Sequence, residues 1–211
     1  MAPPRSVQDV GTLTLDSGAV VAFDCPIGVS GQYAAMAGLG SFREALGVFG
    51  TGRFSRFYEP AACAEDIATE RPFYPLRGLK GIRRDDLRRT LGEAAFAPRE
   101  CDRLARAGPI FWLVGPRQVG RSAVCVWRDV LTPNLDRLAL WPFDGTLTEL
   151  VAARRPIVAE MYPAFLLRTL GAAVTRKSDP AARAPCGRAV LRGARAPGRV
   201  DVGAGAGLLH G

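Results

Sequence analysis

The chain has 211 residues, 48% of them hydrophobic and 23% charged, which suits one packed domain with or without a tail. No apolar run approaches the roughly 20 residues of a spanning helix, and "MAPPRSVQDVG" lacks the apolar core of a secretory signal, so a cytoplasmic protein without a membrane partner is expected. Five scattered cysteines without C-x-x-C, and a single histidine at position 210, exclude a disulfide framework, a cysteine or histidine zinc site and histidine-based catalysis.

The net charge of +8 invites a nucleic-acid reading. Half of it comes from residues 181–211, which hold five arginines and one aspartate. The body of the chain is only mildly basic.

In chain order, strands are predicted at 12–15 (TLTL), 19–24 (AVVAFD), 110–114 (IFWLV), 138–143 (LALWPF) and 156–160 (PIVAE). Several are continuous apolar runs, as in strands covered on both faces. Helices are predicted at 41–48, 60–69, 84–91, 99–106, 118–131, 146–153 and 164–170, with Pro98 and Pro133 near boundaries. This alternation argues for an α/β domain over residues 1–178, its sheet flanked by helices. The Gly-, Arg- and aromatic-rich stretch 50–83 reads as a long excursion from the sheet, a candidate surface for a nucleic-acid or protein partner. Residues 179–211, mostly Ala, Gly, Arg and Pro, read as a disordered low-complexity tail. A basic nucleic-acid arm and a GC-rich gene read in a shifted frame both give this composition.

Three places could carry chemistry. The segment Gly115–Ser122 (GPRQVGRS) nearly matches the phosphate-binding pattern G-x-x-x-x-G-K-[ST] after an apolar run, with Arg121 in place of the lysine. Its alternative is a plain turn whose glycines serve the backbone, and Asp144 after "LALWPF" is the candidate for a downstream metal-binding acid. The second place is a pair of matched strand ends. Asp24 closes one apolar run and Glu160 another, and Pro26 and Pro163 follow them. In an open α/β sheet, ligands bind beyond the carboxyl ends of the strands. If the two strands are parallel and adjacent, or one apart, the carboxylates share that edge and would attract Mg²⁺ or Mn²⁺, a cation able to activate water against a phosphodiester. The third place comprises the arginines of 81–92 and 99–108, whose i, i+3 and i+4 spacing to acids reads as a solvated ion-paired face.

The pieces "VVAFDCPIGVS", "IFWLVGPRQVGRSAVCVWRDVL", "LALWPFDGTLTEL" and "IVAEMYPA" together resemble an uncharacterised bacterial family, a domain of unknown function described as a predicted RNase H-like nuclease. The resemblance spans roughly residues 18–178. It implies a ribonuclease H-like mixed sheet, metal-dependent phosphodiester hydrolysis, and Asp24 and Glu160 as catalytic and metal-binding acids. Against that pattern, an earlier aspartate-bearing strand and a late acid-bearing helix are not found, so the expected sheet is incomplete at both ends and the activity degenerate. The alternative is a non-catalytic nucleic-acid or protein binding module on the same fold, and a further one a phosphate- or nucleotide-binding enzyme using Gly115–Ser122.

Overall fold

The computed structural model describes residues 19–74, 88–89, 91–93, 96–113 and 119–172. The predicted strand 12–15, the tail and most of the helix at 84–91 lie outside these residues. Contacts divide the chain into two units, one of Met1–Arg99 with Ala107–Met161 and one of Glu100–Arg106 with Tyr162–Gly211.

The first unit is mixed α/β. Strand β1 (Val20–Phe23) is followed by helix α1 (Gly31–Met36), which starts where the Ser30 hydroxyl accepts from the Tyr33 N–H at 3.2 Å. Helix α2 (Phe42–Val48) has a capping box, Ser41 and Glu44 each bonding the other's backbone, and buries Phe42, Ala45 and Leu46 at i, i+3 and i+4. A later helix of this unit, Val119–Val126, buries Gly120 and Ala123 and runs into a π-helical turn, Trp127–Leu131. Strand β2 (Ala139–Trp141) follows, then a helix at Leu147–Ala152 with a second capping box from Thr146 and Glu149, and finally β3 (Ile157–Glu160).

The sheet has the order β1-β3-β2, and both pairings are parallel. Val20 is level with Ile157 and Phe23 with Glu160, while Ala139 is level with Ile157 from the other side. Side chains alternate across a strand, so Val158 and Leu140 face one way and Ile157 and Ala139 the other. The two hydrophobic clusters divide accordingly. The larger gathers Val158, Leu138 and Leu140 with the aromatic residues, and the smaller joins Ala139 and Ile157 to Leu150 of the helix at 147–152. β3 is therefore buried on both sides as its sequence predicts, whereas β1 alternates between exposed and half-buried.

Three expectations are corrected. Residues 110–113 form turn and irregular backbone, and the Ile110 and Trp112 carbonyls would meet a Cβ at Gly120 at 2.5 and 3.0 Å. The run is apolar because Ile110, Phe111 and Leu113 enter the core, which a turn can also achieve. Residues 60–69 hold a short 3-10 turn (Ala64–Asp66) in place of a helix, with Asp66 accepting from the Ala62 and Cys63 N–H groups. In the stretch 50–83, the described part is no excursion. Phe54, Phe57, Tyr58, Phe73 and Tyr74 are buried, and Phe57 stacks on Phe49 with ring centroids 3.6 Å apart. A segment whose described part holds only short 3-10 turns and an isolated bridge here supplies much of the core, each large aromatic contributing on the order of 2–3 kcal/mol by burial.

Asp144 closes the outer edge of β2. Its carboxylate accepts from the Leu140 N–H at 2.7 Å and is forked by the Arg43 guanidinium, and its own N–H donates to the Leu140 carbonyl at 2.9 Å. Burial raises the Asp144 pKa, but the Arg43 and Leu140 hydrogen bonds outweigh it and the net direction is down. A carboxylate held lower in the folded state stabilises above its unfolded value of about 3.9 and loses that contribution as the pH falls through it. Asp144→Asn is expected to cost about 2 kcal/mol in urea denaturation at pH 7 and to reduce the loss of stability below about pH 4. An unchanged acid limb would show that Asp144 does not carry it.

Candidate functional site at the carboxyl edge of the sheet

Because β1 and β3 are parallel neighbours, Asp24 and Glu160 lie at the same edge of the sheet. They do not lie in the same environment. Glu160 is level with Phe23, and Asp24 comes one residue later, so alternation turns it toward the side on which Val20 and Ala22 are exposed. Asp24 is exposed, and its carboxylate has no hydrogen bond or ion pair among the described residues.

Glu160 is clamped. Arg99 Nη1 donates to Oε2 at 2.6 Å and Nη2 to Oε1 at 2.8 Å, and the two side chains are only 9% and 11% exposed. The Ile27 N–H donates to Oε2 at 2.8 Å, and the Ile27 carbonyl accepts from Arg99 at 3.2 Å. One guanidinium thus ties the end of β3 to the turn after β1. The fork is the geometry in which an Arg–carboxylate pair is strongest.

That turn is pinned elsewhere too. The Pro26 carbonyl accepts from the buried Trp127 indole N–H at 2.6 Å. Gly28 has a φ of +118°, and a Cβ there would stand 2.6 Å from Cζ of Phe143, so both backbone and space require glycine. Cys25 is buried inside the turn. Burial first, then the charges of Glu160 and Asp24, push its thiol up to about 12, with Arg99 pulling the other way. The sequence Asp-Cys-Pro-Ile-Gly is a rigid turn that leaves one carboxylate, Asp24, outside.

The two acids differ as ligands for Mg²⁺ or Mn²⁺. Asp24 offers free hard oxygens, the donor type these cations require. Both oxygens of Glu160 already accept charge-assisted bonds, so a cation taking it would have to displace Arg99 from a nearly buried pair.

Gly115–Ser122 is described only from Val119 on, and there the Gly120 N–H donates to the Trp112 carbonyl at 3.1 Å. The Gly120 N–H, one of the donors a phosphate cradle would use, is spent on the protein's own backbone, and residues 110–113 hold no strand.

The solvated-face reading of 99–108 is corrected at two residues, because Arg99 is nearly buried and Asp102 is buried. Within the second unit, a helix at Glu100–Ala105 and one at Pro163–Thr169 place the Tyr162 hydroxyl 2.6 Å from Asp102 Oδ1 and 3.7 Å from Cys101 Sγ. Leu104 and Phe165 are exposed there, the reverse of the usual pattern.

No family model, curated protein or solved structure matches the chain.

Two outcomes check this site. Arg99→Leu, which strands Glu160, is expected to cost about 3–5 kcal/mol in denaturant unfolding, and Arg99→Leu with Glu160→Met should recover most of it. A loss below about 1 kcal/mol would mean that the clamp does not hold the turn. In native alkylation at pH 8 followed by mass spectrometry, exposed Cys63 and Cys125 should label while Cys25 stays protected, and Cys25 labelling at their rate would contradict its burial.

Proposed function

We propose that the chain is a divergent RNase H-like protein whose phosphodiester chemistry, with Mg²⁺ or Mn²⁺, centres on Asp24 at the carboxyl edge of β1. The observation that supports this most is the parallel β1–β3 pairing, which puts Asp24 and Glu160 at one edge. Asp24 is the exposed hard ligand there. Glu160, through Arg99 and the Ile27 N–H, fixes the turn that presents it. A bound divalent cation would polarise the phosphodiester and lower the pKa of a bound water. The donors available from this pair make the cation weakly held.

A second reading is a non-catalytic binding protein on the same framework, favoured by the clamp itself, which spends Glu160 on the fold. In that case nucleic acid is held by arginines, since the aromatic rings of residues 54–74 are buried and offer no stacking surface.

One assay separates the two. The full chain is incubated with labelled single- and double-stranded RNA and DNA, with Mg²⁺, Mn²⁺ or EDTA, beside Asp24→Asn, an exposed change that leaves the clamp intact. Cation-dependent cleavage that falls roughly 100-fold or more in Asp24→Asn supports the first reading. Cleavage unaffected by that change sinks it. Salt-sensitive binding without cleavage supports the second.

A further inference from the structure

The described residues are almost neutral, with 15 arginines against 14 acids, but the charges are not matched place by place. Arg43, Arg56, Arg71, Arg99 and Arg128 each form an ion pair with a carboxylate of the first unit. Among the described residues no carboxylate pairs with Arg137, Arg154 or Arg155, and all three are exposed. They stand together at the amino-terminal ends of two strands. Arg137 lies in the turn entering β2, and Arg154 and Arg155 in the turn entering β3. Arg155 Nη2 donates to the Asp136 carbonyl at 3.1 Å and to the Leu138 carbonyl at 2.7 Å, and the Ala139 N–H donates to the Pro156 carbonyl at 2.8 Å. The two turns are thereby tied side by side. Of the nearby acids, Asp144 is already forked by Arg43, which leaves Asp136. The residues outside the described ones hold 13 Lys and Arg against six Asp and Glu, and the stretch before β1 has Asp9 and Asp16 against Arg5. The chain carries no surplus of acid to neutralise the patch.

Arg154 adds a second sign. It follows the helix at Leu147–Ala152 and its C-cap Ala153 with a φ of 54°, the left-handed position that glycine usually fills. A side chain there strains the backbone. A cation near a helix C-terminus recovers part of that through the helix dipole, but this accounts for one charge and leaves Arg137 unexplained. We propose that Arg137, Arg154 and Arg155 form a contact surface for the phosphate backbone of nucleic acid. The planar guanidinium fork matches a phosphate, and such contacts hold a strand without reading its sequence. A membrane surface fits less well, since Val151 is the one large exposed apolar side chain in the adjoining helix turn. The patch lies roughly 16 Å along the strands from Asp24, at the opposite end of the sheet, so it anchors the nucleic acid away from any reacting phosphodiester. This inference rests on the nucleic-acid partner of the proposed function and names where that partner is held.

The test is fluorescence anisotropy of labelled RNA and DNA oligonucleotides, single-stranded and duplex, with the full chain across a salt series. Each phosphate contact steepens the fall of log Kobs with log salt by about 0.7 on a single strand and about 0.9 on a duplex. Arg137→Gln and Arg154→Gly are each expected to weaken binding and flatten the slope by about one contact, and the double variant by about two. Arg154→Gly suits the left-handed turn, so it should melt no lower than the parent while binding less. Arg103→Gln, at an exposed arginine already paired with Glu100, should leave the slope as it is. A double variant that keeps the parent slope overturns the patch and leaves the nucleic-acid partner standing, as does an equal flattening by Arg103→Gln. A parent that binds no oligonucleotide, or binds phosphatidylserine vesicles instead, overturns both.

Discussion

A carboxylate at the end of a strand buried on both sides is the constraint around which the first unit is arranged. Glu160 follows Ile157, Val158 and Ala159, all buried, and is itself almost withdrawn from water. An uncompensated charge there would cost several kcal/mol, so a cation must be brought to it and held in good geometry. Arg99 supplies the charge and reaches the Ile27 carbonyl as well, while the Ile27 N–H completes the carboxylate's set. The central strand, the turn after the edge strand and the segment before residue 100 are thereby joined at one point. Trp127 fastens the same turn from the aromatic core through Pro26.

The distinction between the two strand-end acids follows from that constraint. Their sequences share one grammar, an apolar run, an acid and then a proline, and the structure confirms the shared edge. Period two along the strands then separates them. Glu160 continues the side that carries Phe23 toward the larger core, and Asp24 continues the side that β1 leaves open. One acid became part of the framework while the other remained available to solvent. The two acids share their flanking pattern but not their surroundings.

How much was legible in the sequence follows the same physics. β3 and both capping-box helices could be read because their signals are local: an unbroken apolar run, and S-x-x-E or T-x-x-E before a helical stripe. The parallel order could be anticipated from alternating strands and helices. Arg99 could not be picked out, because eleven arginines lie from residue 77 to residue 128 and nothing local marks the one at position 99 as nearly buried. The available signal was indirect, since an acid ending a two-sided buried strand demands a cation without naming it. The stretch 110–113 misled because apolarity reports burial and not backbone shape, and Phe111 and Leu113 are as buried in a turn as they would be in a strand. The aromatics of 50–74 misled in the opposite sense. A segment rich in Gly and Arg with no period looked like surface, yet its rings stack on Phe49 and Trp127 in the interior.

Arg43 and Arg99 solve the same problem at two places, and the comparison locates where chemistry can still occur. Each forks a carboxylate near the end of a strand, Asp144 for β2 and Glu160 for β3, and each also bonds a backbone carbonyl. The acids of the two strands that bury their side chains are therefore neutralised and committed to structure. β1 is the strand whose side chains remain partly in water, and Asp24 is the acid that needs no counter-charge to exist there. Solvation, not sequence context, decided which carboxylate stayed free. Under the proposed function, activity at this edge is built on Asp24, with the clamped pair beside it acting as the frame that keeps its turn in place.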